Sequence, residues 1–299
     1  MTSGWSAWST STTCCGPALP DTRGADSAAP DLIVIPARYG STRLPGKPLV
    51  SIAGRTLLSR VVAIAREGAA RVGHAEVVVA TDDPRILDHA CELGCAAVMT
   101  DAAITSGSGR AWAVARGRTM PPPIVVNLQG DAPFAAPGMI AALIEALRDS
   151  PCGVATPVVQ LDWAALDALR AHKLASPFSG TTCVRRADDR ALWFSKAVLP
   201  AIRNEAQLRG IGEMSPVFRH IGLYAYRFAA LRGFEQNAPT PYEVLEGLEQ
   251  LRFLETGEDI LTVAAAPPRH AMSGIDTPED VAMAEALIAE HGEPDLSWT

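Results

Sequence analysis

Over the first half of the chain, short apolar runs alternate with longer stretches in which apolar residues recur every three or four positions. The runs are LIVIP at 32–36, EVVVAT at 76–81, CAAVM at 95–99 and IVVNL at 124–128. The longer stretches predict helices near 56–68, 84–93, 107–116 and 137–148. Runs that are apolar at every position are strands buried on both faces, and strands separated by helices pair in parallel. The expected core is therefore a doubly wound, mainly parallel α/β sheet.

After DSPCGVATPVV at 149–159 the rhythm changes. TTCVRR, ALWFS and HIGLYAYR read as strands with less regular connections, residues 201–218 as a polar loop, and 241–256 as a helix. ILTVAAA at 260–266 and the helix opened by DTPEDVAMAEALI read as a return to the core, with Thr277 to Asp280 as a capping box or acidic first turn. The expected division is a tail over 1–30 and one domain over 31–299. Within that domain, 31–150 forms the core, 151–260 a mixed-sheet extension and 261–290 the return.

Composition removes several classes of function. With 48% hydrophobic residues in 299, the chain can bury a large core. A net charge of −7 gives no general field for nucleic acid, so any phosphate must be held by local cations. No apolar run approaches the ~18 residues that span a bilayer. Six cysteines, at 14, 15, 91, 95, 152 and 183, include no Cys-x-x-Cys pair and no histidines at zinc spacing, which suits a reduced cytoplasmic protein. Cys91 and Cys95, one helical turn apart in spacing, read as small core-facing residues. The first 30 residues are rich in Ser, Thr, Gly, Ala and Pro and are expected to be disordered; with no basic residue before Arg23 they lack the start of a signal peptide.

The chemistry begins where the first run ends, in IPARYGSTRLPGKPL. A phosphate-binding P-loop needs four residues between its glycines and a hydroxyl after its lysine. Here five residues separate Gly40 from Gly46, and Pro48 follows Lys47, so no hydroxyl is placed for a metal and the ATPase reading fails. What remains is a long loop at the carboxyl end of a buried strand, where open α/β sheets bind ligands. Arg38, Arg43 and Lys47, with glycines that admit close approach, form a polyphosphate clamp. Asp131 in NLQGDAP and Asp276 in GIDTPED each follow a predicted strand, so both carboxylates can point into the same crevice. Two hard oxygen ligands there suit Mg²⁺, although either aspartate alone could instead cap a helix.

This loop resembles the signature of the CMP-sugar-acid synthetases, most closely the 3-deoxy-D-manno-octulosonate (Kdo) cytidylyltransferases. VVVATDD, MTDAAITSGSGR, VVNLQGDAP, FRHIGLYAYR, LEGLEQLRFLETGE and GIDTPEDV match in order, so the resemblance covers about 32 to 290. It implies a nucleotide-diphospho-sugar transferase-like fold and transfer of CMP from CTP to a small acidic acceptor, with release of pyrophosphate. Arg38, Lys47 and Asp131 would be catalytic, and Asp131 and Asp276 would hold Mg²⁺. CTP would meet Pro36, Ala37, Arg38, Gly40, Ser41, Arg43 and Lys47 from the loop, with Ser106, Gly107, Arg110 and Gln129 beside them. The acceptor would meet Gln129, Lys196, His220, Tyr224, Glu249 and Gln250. His220 and Tyr224 are read as alternating on one strand and so sharing a face. On a helix, Glu249 and Gln250 could equally be partners of Arg252. The extension would carry the acceptor site and the contact of a homodimer.

Departures from the family pattern gather on the acceptor side. Gly109 stands where an acidic residue is usual, Trp112 where a small one is, Thr181 where a lysine is, and Lys196 where an arginine is. Lysine cannot fork onto a carboxylate as arginine does. Two acceptors therefore stay open, a Kdo-type sugar acid and a small phosphonate such as phosphonoformate, which relatives activate in antibiotic pathways. A non-catalytic relative and an enzyme using another NTP are the alternatives from outside this class. Lys47, Asp131 and Asp276, whose loss would mark the former, are all present.

Overall fold

The computed structural model describes residues 28–41, 43–267, 272 and 274–294. All but the last three residues of the predicted tail, with Cys14 and Cys15, lie outside them. β1 (Asp31–Ala37) explains why the apolar runs show no alternation: Ile33, Ile35 and Ala37 enter one core cluster, while Leu32 and Val34 enter another across the sheet. A loop, a single 3₁₀ turn (Lys47–Leu49) and the two short strands β2 (Ser51–Ile52) and β3 (Arg55–Thr56) lead into α1 (Leu57–Val72). Thr56 caps α1 by accepting from Ser59 N. There follow β4 (Ala75–Thr81), α2 (Pro84–Glu92), β5 (Ala96–Met99), α3 (Gly107–Arg116), β6 (Ile124–Leu128) and α4 (Pro137–Arg148). Strands β5, β4, β1 and β6 lie in that order and are all parallel. The chain winds outward from β1 in both directions, so the switch point falls between β1 and β6.

The second half builds on the β6 edge. Its elements are β7 (Val154–Asp162), α5 (Trp163–Ala175), β8 (Thr182–Arg185), β9 (Ala191–Ser195), α6 (Glu205–Arg209), β10 (Met214–His220) and β11 (Leu223–Arg227). After them come α7 (Phe228–Gln236), α8 (Pro241–Glu246), α9 (Gln250–Glu255), β12 (Ile260–Ala264) and α10 (Pro278–His291). β11 inserts antiparallel between β6 and β7; β7 then pairs in parallel with β12 and antiparallel with β10, and β8 and β9 complete the ten-stranded sheet. Residues of α1, α4 and α10 fill one core cluster, and those of α3, α7 and α9 the other. Among the described residues no helix is long and apolar enough to cross a membrane.

Several predicted elements need correction. HIGLYAYR is not one strand: His220 closes β10, and the chain turns at Ile221 and Gly222 before β11. The polar loop at 201–218 holds α6 and the start of β10. The helix over 241–256 is two, because Gly247 adopts a left-handed φ of 63° that ends α8. Helices α5 and α7 were not predicted, although Trp163, Leu166 and Leu169 recur at helical spacing behind the Asp162 cap. Cys95 lies beyond the end of α2, so the two cysteines do not share a helix. The capping box is present, with Thr277 and Asp280 each bonding the other's backbone.

Arg227, the last residue of β11, ties the two halves together. Its guanidinium donates to the carbonyls of Leu147, Ser150 (2.7 Å) and Cys152 (3.1 Å), closing the end of α4. Arg227→Ala is expected to lower unfolding stability by about 2 kcal/mol, the value of hydrogen bonds to a charged group. Urea denaturation measures it, and an unchanged midpoint would show the clamp to be idle.

Candidate functional site

The site is built at the switch point. Gly130, just past β6, lies so close to the end of β1 that a Cβ there would stand 2.3 Å from Pro36 O, so only glycine lets the two strand ends meet. From this junction the loop after β1 folds back on Tyr39, whose carbonyl accepts from Ser41 N (2.8 Å) and Gly46 N (3.0 Å). The Arg85 guanidinium covers the Tyr39 ring at 3.4 Å. Lys47 opens a single 3₁₀ turn with Pro48 in second place, so no hydroxyl follows it, as expected.

Two carboxylates meet the lysine. Lys47 Nζ lies 2.8 Å from Asp131 Oδ2 and 3.0 Å from Asp276 Oδ1, and Arg43 Nη2 lies 3.0 Å from Asp276 Oδ2. Ile275 N donates to Asp131 O at 2.9 Å, which fastens the two acidic loops together. Thr277 and Asp280 do the capping of α10, so the Asp276 carboxylate is left free to face the crevice. Burial pushes the Asp276 carboxyl up, but Lys47 and then Arg43 outweigh it and hold the group below the usual carboxylate range. Two carboxylate oxygens already hold one cationic nitrogen between them, so the donor set fits a hard divalent cation that keeps water and phosphate in its other positions.

Beside this pair lies a cleft of about 190 Å³, lined by Pro36, Ala37, Arg38, Lys47, Ser106, Gly107, Arg110, Gln129, Asp131 and Asp276. Sequence reasoning missed three further lining residues, Pro48, Thr105 and Gly130. Gly40, Ser41 and Arg43 stand outside the lining, on the outer part of the loop. Arg110 is only 2% exposed, and its guanidinium donates to Asp82 Oδ2 (2.5 Å) and to Thr100 Oγ1. It braces α3 against the ends of β4 and β5.

The predicted acceptor residues gather on the sheet face covered by α3, α7 and α9. His220 and Tyr224 do share a face, with ring centroids 5.3 Å apart, but from two strands instead of one. Thr156 Oγ1 lies 2.9 Å from His220 Nε2 and donates to Leu223 O, so Nε2 carries the proton and Nδ1 is an acceptor. Burial, and after it the charge of Lys196, pushes the His220 imidazole down to about 3, so it is neutral at physiological pH. Lys196 Nζ donates to Thr181 Oγ1 at 3.2 Å, and burial lowers its pKa against the pull of Glu246. Arg252 takes Glu243 as its partner, at 2.5 and 2.7 Å, so Glu249 is not its ordinary companion. Glu249 instead accepts from Ser108 Oγ, and burial raises its carboxyl. Ser108, Asn127 and Thr156 were missed; the one signal was polarity inside apolar stretches such as IVVNL.

His220 makes a pH test. Its folded pKa lies below the 6.5 of the free side chain, so the unfolded chain binds a proton that the native one does not, and stability is lost as pH falls below about 6.5. On the order of 1 kcal/mol per pH unit is expected from this group between pH 6.5 and 5. Urea titrations should give a flatter profile for His220→Gln; equal slopes would contradict a neutral buried imidazole.

A profile of the family described as cytidylyltransferase matches residues 32–260. A 3-deoxy-manno-octulosonate cytidylyltransferase of Maricaulis maris is 43% identical over 263 residues, covering 88% of this chain and 98% of that protein. The enzyme of the same name from Escherichia coli is 38% identical over 261 residues, covering 87% and 96%. A solved CMP:2-keto-3-deoxy-manno-octonic acid synthetase in complex with CTP superposes with a TM-score of 0.74 at 35% identity, over 88% of this chain and 99% of that one.

Proposed function

Since this chain belongs to the cytidylyltransferase family, among the 3-deoxy-manno-octulosonate cytidylyltransferases, we propose that it loads CMP from CTP onto Kdo or a closely related sugar acid. It is a CTP-dependent cytidylyltransferase. The observation that carries the proposal is the Lys47–Asp131–Asp276 cluster beside a cleft at the switch point, with a polar face next to it for the acceptor. The relatives named above support the sugar acid and lend the phosphonate nothing.

In the reaction an acceptor oxygen bonds to the α-phosphorus of CTP as the bond to the departing pyrophosphate breaks, and the acceptor hydroxyl loses its proton. Little covalent help is needed; alignment and charge neutralisation are. Arg38, Arg43 and Lys47 would hold the β- and γ-phosphates and stabilise the leaving group, while the amide of Gln129 and nearby backbone groups would read the base. Asp131 and Asp276 would hold Mg²⁺, which when bound neutralises phosphate charge. On the acceptor side Lys196 would meet the carboxylate and neutral His220, through Nδ1, a hydroxyl. A homodimer would form through the extension, which exposes Leu174, Phe178 and Ile211.

Pyrophosphate release in Mg²⁺ with each NTP, run with Kdo and with phosphonoformate, tests the reading. Release with CTP and Kdo is expected; release with CTP and phosphonoformate alone would reassign the acceptor, and none with either would refute the function. Lys47→Met and Asp131→Asn are each expected to lower kcat/KM at least about 100-fold, the scale for losing one charge that stabilises a transition state. A loss below tenfold in both would remove the cluster from the chemistry.

A further inference from the structure

Helix α3 faces two ways. Ser106 and Gly107 line the nucleotide cleft, whereas the next residue, Ser108, is 1% exposed and donates its hydroxyl to Glu249 at the entrance to α9. Beneath Gly107 lies Asn127 of β6, whose amide nitrogen would be 3.2 Å from a Cβ placed on that glycine. Asn127 is opposite Tyr224 in the β6–β11 register, and Tyr226 stacks on Phe253 of α9 with ring centroids 5.6 Å apart. Nucleotide cleft, sheet face and α9 thus converge on one place.

Two buried side-chain atoms among the described residues have no hydrogen-bond partner, one on β6 beneath Gly107 and the other at the start of α9, next to Glu249. They are Oδ1 of Asn127, a residue 2% exposed, and Nε2 of Gln250, a residue 3% exposed. Buried amide atoms left unbonded are rare and costly. One is an acceptor and the other a donor, which is the complement of hydroxyl groups, since each hydroxyl both donates and accepts.

We propose that Asn127 and Ser108 belong to the acceptor site. Asn127 Oδ1 accepts from a hydroxyl of a bound polyhydroxylated acid, and Ser108 is a positioning residue that holds the Glu249 carboxylate where it takes another. The assignment rests on the cytidylyl-transfer reading and deepens it by giving the selectivity a source. An acceptor without hydroxyls leaves Asn127 and Gln250 unbonded, and sites built to bond a hydroxyl reject analogues that lack it far more strongly than apolar sites reject an extra group.

The test measures KM for Kdo and Kd for CTP in Ser108→Ala, Ser108→Thr and Asn127→Leu. In Ser108→Ala the KM for Kdo is expected to rise about tenfold, the value of one hydrogen bond to a charged group, while the CTP Kd stays within about twofold. Ser108→Thr, which keeps the hydroxyl, is expected to restore Kdo binding. Asn127→Leu should also raise KM for Kdo at unchanged CTP affinity; if circular dichroism shows it unfolded, the Ser108 pair decides. Equal weakening of CTP and Kdo, or no change for Kdo, would overturn the proposal by reducing both residues to scaffold. A wild-type enzyme that uses phosphonoformate and not Kdo would overturn it while sparing cytidylyl transfer; one inert with both would overturn the functional reading beneath it.

Discussion

One ammonium group between two carboxylates organises this protein's active end. Lys47, Asp131 and Asp276 come from the loop after β1, the loop after β6 and the approach to α10, and they meet within 3.0 Å. Like charges this close repel, so the carboxylates can share a site only with a cation between them. The sheet makes the meeting possible: parallel pairing of β1 with β6 puts two strand ends side by side, and Gly130 lets their backbones touch.

A chemical division follows from this point. On the loop side the groups are charged and partly open to solvent, which suits a polyphosphate that arrives with its own charge. Across the sheet face the groups are more shielded from water: a neutral His220, tyrosines whose ionisation burial suppresses, and a Glu249 carboxylate whose pKa desolvation raises. Such a surface would suit recognition by hydrogen-bond geometry, with Lys196 as the local cation. Helix α3 joins the two halves, with Arg110 fixing it to β4 and β5, Ser106 at the cleft and Ser108 at Glu249.

Much of the core was legible because its physics is local. Strands buried on both faces read as unbroken apolar runs, and IVVNL and the helix at 137–148 appear with the predicted bounds. The extension was harder, since its strands pair antiparallel across long connections and its turns depend on single residues. Gly222 separates His220 from Tyr224, yet the two rings still meet, because β10 and β11 both flank β7. The expected contact thus holds for a reason other than alternation along one strand. Arg110 shows the limit of reading by motif: it lines the cleft, and its guanidinium is also held by Asp82, a partner that no motif announces.

The departures on the acceptor side fall in two places, which spacing along the chain does not reveal. Lys196 and Thr181 are bonded to each other, so the segment that lacks the usual lysine receives its charge from the position that lacks the usual arginine. Gly109 and Trp112 both face α7: Trp112 packs its ring 5.2 Å from Phe228, and Glu235 brings Oε1 to 3.6 Å from where a side chain on Gly109 would begin. An acidic group therefore stands beside position 109 although the residue itself has none. In both places a charged side chain from another element, Lys196 at Thr181 and Glu235 at Gly109, stands beside the altered position.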